Sequence, residues 1–426
     1  MTTRISWADE TWNPVTGCSK ASPGCDFCYA ERGHRRFNTQ PFTTVQLHPD
    51  RLDKPLRWRK PRVIFVNSTS DLFHPHIPDD YIARVFAVMA LTPRHAYPVL
   101  TKRHARMASL LANTDFARQV AEEATEIISR TPLRMHNRIS TDGWRVERTA
   151  VGNLWHPTWP LPNVWLGVSA ENQHWADIRL PHLMRTPAAV RFVSYEPALG
   201  PVDLSSYLPR TQHQSDADAE LDERLNATLA ELDAAIAARL DLRAGLTAII
   251  GADAASQTAT DSRSATDPHC SPAMHAGPWL DWVIAGGESG PSARPMAPAW
   301  PRQVRDQCIA ANVPFHFKQW GEYAPAVLYD APEFSGGRAY NHPRGGCACA
   351  ATIRIPGPSG TLRSATTRLM QPGERTRGTV MLDHDTIAVR VGTKASGNEL
   401  DGRTWLQFPA CAPDTDCVRA GRAASR

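Results

Sequence analysis

Residues 62–103 read RVIFVNSTSDLFHPHIPDDYIARVFAVMALTPRHAYPVLTKR, and this stretch decides the fold. It contains two short apolar runs, VIFV and YPVL, and each run ends abruptly in polar residues. Continuous apolar runs of this length are typical of strands that are buried on both faces, as in parallel sheets. Between the runs, Ile82, Val85 and Met89 recur at helical spacing after a Pro-Asp-Asp start. The stretch therefore predicts a strand, a helix and a second strand.

The same form recurs along the chain, which extends the prediction to the whole fold. Apolar runs that end in polar or glycine residues occur at 163–172, 189–197, 282–290 and 313–321. A second helix-like stretch, at 301–312, precedes the last of them. Strands that alternate with helices imply βαβ units, and six or more such strands predict a complete or partial (β/α) TIM-like barrel in the α/β class.

The polar ends of these runs supply the candidate site residues. In barrels of this kind the functional site is built from residues at the carboxyl ends of the strands. Ion pairs among the charged members, inside the mouth of the barrel, are the structural alternative to ligand binding. The candidates are Ser68, Ser70 and Asp71; Thr101, Lys102 and Arg103; Ser169, Glu171 and Asn172; Ser194 and Glu196; Gly286, Gly287 and Glu288; and Lys318 and Gln319.

Three cysteines, Cys18, Cys25 and Cys28, lie close together in WNPVTGCSKASPGCDFCYAER at residues 12–32. Three thiolates bind a metal centre and leave one coordination position open, which is typical of catalytic rather than structural sites. A 4Fe-4S cluster on three cysteines has one free iron in the same sense, because full protein ligation needs four. The alternative is zinc, with His34 completing a Cys3His tetrahedron. The spacing alone favours neither metal.

Composition indicates the compartment. The other six cysteines are scattered through the 426 residues and do not resemble the disulfide framework of a small secreted domain. The first residues lack a basic region followed by an apolar region, so no signal peptide is predicted, and no run of about 18 apolar residues marks a membrane span. We therefore expect a soluble, cytoplasmic protein without a membrane partner. The formal charge of +4 permits a nucleic-acid partner without implying one.

The chain is predicted to consist of a barrel and additions to it. The barrel takes residues 1–323, with insertions at about 109–160 and 209–278. The first insertion contains a predicted helix through DFARQVAEEATEIIS. The second begins with a helical segment and continues into small, polar residues that are expected to be partly disordered. Both are interpreted as surface insertions, and the alternative for 209–278 is an arm that binds a partner protein. Residues 324–426 are predicted to form a loosely packed C-terminal extension.

Residues 54–62, KPLRWRKPR, place five basic side chains around Trp58. Cations bind phosphates and an aromatic ring stacks on a base, so this combination is typical of nucleic-acid binding. A solvated connector with a packed tryptophan is the alternative. The stretch contributes to our first expectation for the substrate, which is nucleic acid or a nucleotide.

Several long stretches of the chain match the motifs of a known family and occur in the same order. With them the chain resembles a phage-associated three-cysteine-motif family of unknown function, which is similar to radical S-adenosylmethionine enzymes. The matched stretches span residues 12–405 and leave the insertions and much of the tail unmatched. Among them are TWNPVTGC, SPGCDFCYAER, VNSTSDLFHPHIP, NVWLGVSAENQ, RFVSYEPALGPVDL, DWVIAGGESGPSARPM and RDQCIAANVPFHFKQWGEY.

The resemblance implies a barrel of the radical S-adenosylmethionine type in which Cys18, Cys25 and Cys28 hold a 4Fe-4S cluster. The free iron would bind S-adenosylmethionine, whose cleavage would yield a 5′-deoxyadenosyl radical that abstracts hydrogen from a substrate. One departure is visible, because such enzymes typically show C-x3-C-x2-C and this chain has C-x6-C-x2-C. The competing hypothesis is a non-catalytic, zinc-stabilised protein that binds nucleic acid.

Within this resemblance the strand ends are expected to bind the cofactor. Asp71, with the two serines before it, can accept a charge-assisted bond from the methionine ammonium, and its alternative is a turn cap. The Ser-Glu-Asn group at 169–172 offers the acceptors and donors that a ribose diol needs. The segment 286–290, which begins with Gly-Gly-Glu, either brings backbone close to an anionic ligand or makes a tight turn with φ above zero. Glu196 and the two lysines are the catalytic candidates.

Overall fold

The structure is a computed structural model of the chain. It describes residues 3, 5–37, 39–150, 152–209, 278–328, 350–356, 362–368, 375–376, 379–382 and 386–409, together with 224, 227–228 and 231–232. The chain divides into two compact units, one of residues 1–208 and 278–426 and the other of residues 209–277. The second unit lies almost entirely outside the described residues. The disorder and the partner-binding arm predicted for 209–278 lie there too.

Seven parallel strands form the central sheet of the first unit. Their order in the sheet is their order in the chain, and every neighbouring pair is parallel. The sheet curls into a half-barrel, and among the described residues its two end strands do not pair with each other. The predicted α/β class is confirmed, and the TIM-like barrel is a partial one. The strands are β1 (Glu10–Trp12), β2 (Ile64–Val66), β3 (Tyr97–Thr101), β4 (Val164–Ser169), β5 (Val190–Tyr195), β6 (Trp282–Gly286) and β7 (Phe315–Gln319).

Helices connect the strands and cover one face of the sheet. They are α1 (Tyr29–Phe37), α2 (Lys54–Arg57), α3 (Asp79–Ala90), α4 (His104–Leu111), α5 (Thr114–Arg130), α6 (Gln173–Arg185), α7 (Ala299–Ala310) and α8 (Thr393–Ser396). The helices predicted near 79–91 and 301–312 are confirmed as α3 and α7. Asp79 and Asp80 begin α3, where negative charge favours the positive end of the helix. Every helix in the described part of the chain is too short or too polar to cross a membrane.

Alternation along the strands separates two hydrophobic clusters. Side chains such as Val193 face outward and pack with the helices in the larger cluster. Side chains in the alternate positions, such as Phe65 and Trp282, face the inside of the curl and form an aromatic cluster. Gly167 makes room there, because a Cβ at its position would lie 2.4 Å from the ring of Phe192.

The segment predicted as an insertion at 109–160 packs a long helix against the half-barrel. α5 contains the stretch that the sequence predicts as helical. Phe116 and Val120 are buried in the larger cluster, and the ring of Phe116 lies 5.7 Å from that of Phe86 on α3. A hairpin formed by Arg145–Thr149 and Gly152–His156 follows.

The C-terminal part of the chain covers the edge of β7. Phe317 N donates to Trp405 O at 2.8 Å, and Gln407 N donates to Phe315 O at 3.3 Å. Such pairing satisfies backbone groups that an edge strand leaves open. The antiparallel strands before this segment are Tyr323–Leu328, Ala350–Pro356, Leu362–Arg368, Arg375–Thr376, Thr379–Met381 and Thr386–Arg390, then Glu399–Leu400 and Arg403–Thr404; Val15–Thr16 pairs with Gln46–Leu47.

Candidate functional site

The inner face of the half-barrel changes from aromatic to polar along its strands. On β5 this face runs from Phe192 through Ser194 to Glu196, since side chains alternate along a strand. On β4 it runs from Trp165 to Ser169 in the same way. Because parallel strands end on the same side, their carboxyl ends form one polar opening, which we call the mouth.

Four charged candidates meet as ion pairs at the mouth. Lys102 Nζ donates to Ser169 Oγ at 2.9 Å and lies 3.8 Å from Glu171 Oε1. Lys318 Nζ lies 2.9 Å from Glu196 Oε1. Each lysine predicted from the sequence therefore has a carboxylate partner from the end of another strand. These are the ion pairs expected from the sequence as the alternative to ligand binding.

Glu171 is fully buried and binds two side chains besides the lysine. Arg179 Nη1, from α6, donates to its Oε2 at 2.9 Å, and Ser22 Oγ donates to its Oε1 at 2.5 Å. Arg179 is fully buried as well, and its guanidinium lies 4.3 Å from the ring centroid of Trp175. Breaking a buried ion pair costs about 3–5 kcal/mol because one charge is left uncompensated. Glu171 therefore ties α6 to residues 17–28, which we call the cysteine loop.

Asp71 joins the ends of β2 and β3. Its carboxylate accepts hydrogen bonds from Thr101 Oγ1 at 2.7 Å, Lys102 N at 3.0 Å and Arg103 Nη1 at 3.2 Å. It also accepts a bond from Phe73 N at 3.1 Å, which is the geometry of an Asx turn. The turn cap proposed as the alternative role of Asp71 is thus present.

The three cysteines of the cysteine loop are free thiols, and each is partly buried. Arg103 Nη1 donates to Cys18 Sγ at 3.8 Å, and its Nη2 donates to Ser19 O at 2.9 Å. Arg103 therefore touches one thiol directly and holds the backbone beside it. It is one of the polar residues predicted at the end of its strand, although its contact with the cysteine loop was not predicted.

The electrostatics around Cys18 oppose ionisation of its thiol. Burial, followed by the Asp71 carboxylate, raises the pKa of Cys18 to about 12, while Arg103 acts in the opposite direction. Cys25 and Cys28 raise that pKa further, so the three thiols are near enough to interact as one group.

Arg294 joins the Gly-Gly-Glu segment to the cysteine loop. Its guanidinium donates to both carboxylate oxygens of Glu288, at 2.9 and 2.7 Å, and to Pro23 O at 2.8 Å. It also lies 5.1 Å from the ring centroid of Phe27. Glu288 is buried, so the carboxylate predicted to bind a ligand is paired with an arginine that holds the loop.

Close packing explains the two glycines before Glu288. A Cβ on Gly286 would lie 2.7 Å from Glu196 Oε1, and a Cβ on Gly287 would lie 2.0 Å from Trp320 O. Neither has a positive φ, whereas Gly290 does, at 108°. The positive φ expected somewhere in residues 286–290 is therefore found at Gly290, whereas Gly286 and Gly287 require the absence of a side chain.

Three other predicted residues support nearby backbone. Ser68 Oγ donates to Asn13 Oδ1 at 3.2 Å, and Ser70 Oγ donates at 2.9 Å to a carbonyl of the segment after β1. Asn172 caps the amino end of α6, where its Oδ1 accepts a hydrogen bond from Trp175 N at 3.2 Å. All three lie at the mouth, and all three have structural partners there.

Asn67 was not predicted, yet it carries two unusual features at the end of β2. By alternation it continues the inner face on which Phe65 lies. It is 2 % exposed, and neither polar atom of its side chain has a hydrogen-bond partner among the described residues. Its φ is 57°, in the left-handed region. Because a buried amide without partners costs about 1–3 kcal/mol, we add Asn67 to the candidate residues of the mouth.

The cysteines and His34 can be compared with the two metal centres expected from the sequence, a zinc ion and a 4Fe-4S cluster. In the described part of the chain, no group of three or more His, Cys, Asp and Glu side chains is arranged to hold a single metal ion. His34 Nε2 lies 2.9 Å from Gln40 O. In a 4Fe-4S cluster each thiolate binds a different iron, so its ligands do not converge on one point. Three thiols on one loop are compatible with that arrangement.

Two features lie away from the mouth. Trp58 and the basic residues around it belong to the opposite ends of the strands, because Arg62 precedes β2 and its Nη1 lies 3.0 Å from Oε1 of Glu10, the first residue of β1. A cavity of about 550 Å³ lies between the first turns of α5 and the hairpin that follows it.

Comparison with protein families gave a match over nearly the whole chain. A family model with the description "Protein of unknown function (DUF5131)" matches residues 2–409. This description contains neither a phage origin nor radical S-adenosylmethionine chemistry, so those parts of the resemblance stay predictions. No curated protein and no solved structure matched.

Proposed function

Since the chain belongs to the DUF5131 family, whose function is unknown, we propose its function from the site itself. We propose a radical S-adenosylmethionine-type enzyme in which Cys18, Cys25 and Cys28 hold a 4Fe-4S cluster. One observation carries the proposal: three free thiols lie on one loop that is anchored over the polar mouth of a parallel half-barrel. The mouth is where barrels of this kind build their active sites.

The anchors of the cysteine loop support a binding function. The loop is held at Ser19 by Arg103, at Ser22 by Glu171 and at Pro23 by Arg294. A first shell of ligands must be held in place by such supporting contacts. The three contacts hold the loop from three different parts of the half-barrel.

Arg103 has a role at the ligand itself. Its guanidinium donates to Cys18 Sγ and therefore compensates part of the negative charge that metal ligation places on the sulfur. When bound, the cluster supplies the electron that cleaves S-adenosylmethionine to methionine and a 5′-deoxyadenosyl radical, which abstracts hydrogen from a substrate.

The remaining residues of the mouth bind and orient. The free amide of Asn67 can accept a bond from the methionine ammonium or donate one to the methionine carboxylate. Lys102 and Lys318 offer positive charge that a bound anion would share with Glu171 and Glu196. Glu196 and the two lysines are also the groups placed to hold or release a proton beside a substrate.

The substrate stays a prediction. Nucleic acid or a nucleotide was expected partly from residues 54–62, but these lie at the opposite end of the strands from the mouth. The proposal for the mouth is therefore hydrogen abstraction from a substrate whose chemical class is open.

Anaerobic reconstitution with iron and sulfide tests the proposal. We expect the wild-type protein to bind about four iron atoms per chain and to show the visible absorption of an iron-sulfur cluster. With dithionite and S-adenosylmethionine it should release 5′-deoxyadenosine. The Cys28→Ala protein should lose the absorption and the product.

Cys308→Ala is the matched control. Cys308 is buried on α7, outside the cysteine loop, and the variant should keep both the absorption and the product. The proposal fails if the wild-type protein binds only zinc without visible absorption. It also fails if Cys28→Ala forms as much 5′-deoxyadenosine as the wild type.

A further inference from the structure

The basic segment at 54–62 forms a surface at the amino ends of the strands. Arg94, which lies just before β3, donates from Nε to Trp58 O at 3.0 Å. The ring of His95 lies 6.2 Å from that of Trp58. Arg62 binds Glu10 at the start of β1, as described above. These contacts fix Trp58 and Arg62 at the amino ends of the strands.

Four cations of this segment are not neutralised by the protein. Lys54, Arg57, Arg59 and Lys60 are exposed, and none forms an ion pair with a carboxylate in the described part of the chain. The segment itself contains no acidic residue. We call these four residues, together with Trp58, the cationic face. Exposed cations without partners attract polyanions, and they release counterions when phosphates replace them.

Trp58 gives this face a second element of recognition. The indole is half-buried, and the Arg62 guanidinium lies over it, 5.6 Å from the ring centroid. The ring also lines a cavity of about 360 Å³ along β1, together with Arg51, Lys54, Thr11, Asn13 and Glu10, whose carboxylate is paired with Arg62. A recess with an aromatic wall beside cations is the combination that holds a base and its phosphates.

The same contacts argue against a lipid surface as the partner. A segment that binds a membrane interface presents apolar side chains on the side opposite its cations. Here Pro55 and Leu56 are buried in the protein, so the segment exposes no large aliphatic side chain. A half-buried ring that lines a cavity also favours an unpaired base over a duplex, whose bases are stacked on one another.

We infer that the cationic face binds single-stranded nucleic acid, with phosphates on the four cations and a base against Trp58. This inference does not rest on the proposed function of the mouth. It assigns a second binding surface at the other end of the half-barrel.

Fluorescence anisotropy of the full-length protein with labelled oligo(dT) and oligo(rU), over a series of salt concentrations, tests the inference. A variant in which all four cations are changed to Gln should bind about tenfold or more weakly. The slope of log affinity against log salt should become shallower by about 0.7 for each phosphate that the variant no longer neutralises. Trp58→Leu should weaken binding roughly tenfold without a change in that slope.

Two controls separate this site from general charge and from folding. Changing Arg118, Arg130, Arg145 and Arg148 to Gln removes the same charge from exposed positions on α5 and the hairpin, and binding should stay at the wild-type level. Because Trp58 also packs against the core, circular dichroism must show that its variant is folded. The four exposed cations test the inference even if that variant fails to fold.

Several outcomes would overturn the inference. The wild-type protein could fail to bind either oligonucleotide, or both four-residue variants could lose affinity equally. Inorganic polyphosphate that competes as well as the oligonucleotides, with no effect of Trp58→Leu, would leave a simple polyanion site. Binding to phosphatidylserine vesicles in place of the oligonucleotides would assign the face to a membrane. Loss of 5′-deoxyadenosine formation in the four-cation variant would contradict the separation from the mouth.

Discussion

Ser22 Oγ donates a hydrogen bond of 2.5 Å to Glu171 Oε1, although the two residues are 149 positions apart in the chain. Ser22 lies between Cys18 and Cys25, and Glu171 follows β4, so this bond joins the cysteine loop to the half-barrel. Hydrogen bonds to charged groups contribute about 1.5–3 kcal/mol, more than neutral ones. The position of the thiols thus depends on a buried carboxylate from a distant strand.

We predict that Ser22→Ala loosens the cysteine loop. The free energy of unfolding should fall by about 1.5–3 kcal/mol. Alkylation of the three loop thiols in the native apoprotein should become faster, because the loop loses an anchor. Urea unfolding and mass spectrometry after iodoacetamide labelling measure the two effects. Ser140→Ala removes a solvent-exposed bond of 2.7 Å to Asp142 and should change neither quantity appreciably. Equal labelling rates in the two variants would contradict the anchoring role.

Gly24→Ala should displace the same loop by steric contact. A Cβ at Gly24 would lie 2.3 Å from Glu171 Oε1, whereas a Cβ at Gly33 on α1 would meet nothing within 4 Å. We therefore expect Gly24→Ala to lower the melting temperature and to reduce iron binding on reconstitution. Gly33→Ala should stabilise the protein by about 0.5–1 kcal/mol, because alanine favours the helix. Thermal unfolding of both variants tests this prediction. A Gly24→Ala protein as stable as the wild type would rule out the steric contact with Glu171.

We predict that the side chain of Asn67 lowers the stability of the protein and contributes to ligand binding. Asn67→Gly keeps the left-handed backbone and removes the unpartnered amide, so its stability should equal or exceed that of the wild type. Asn67→Ala should be less stable than Asn67→Gly by about 1 kcal/mol, because the left-handed conformation disfavours a Cβ. Both should bind S-adenosylmethionine more weakly, as equilibrium dialysis would measure. Wild-type affinity in both variants would remove Asn67 from the site.

His95 should make the protein sensitive to acid. It is fully buried, and burial, with a smaller effect of Arg94 and Arg62, lowers its pKa from 6.5 to about 4. Between these values the unfolded chain binds a proton that the folded chain does not bind, so the free energy of unfolding falls as the pH drops through this window. His95→Phe should flatten that part of the profile in urea unfolding. His136→Phe, at an exposed position, should leave it unchanged, and equal profiles in all three proteins would show the prediction to be wrong.

The strand ends could be predicted from sequence because the change from apolar to polar residues is local. The stretch at 190–195, VRFVSY, shows where β5 ends, but its apolar residues lie on both faces. Because of this, the sequence does not show which of these residues, such as Phe192 and Ser194, face the inside of the curl. This is visible only in the folded chain, where the helices cover the other face.

The contacts that hold the cysteine loop could not be predicted in the same way. Arg103 was predicted at a strand end, but its partners, like those of Arg179 and Arg294, lie far away in the chain, where no local pattern indicates them. Glu171 was predicted as a ribose ligand from its place after a strand. The sequence contained no sign that its charge is already balanced by a buried arginine.

The inner aromatic cluster has a consequence for biosynthesis. Trp282 contacts Trp7, with ring centroids 6.0 Å apart, and Phe408, with centroids 5.3 Å apart. At a translation rate of about 5–20 residues per second, Phe408 is made roughly 20–80 s after Trp7. After β7 is complete at Gln319, about 90 further residues are made before Phe408, and until then the edge of β7 and the side of Trp282 that meets Phe408 stay uncovered. Closure of the inner aromatic cluster therefore waits for the last tenth of the polypeptide.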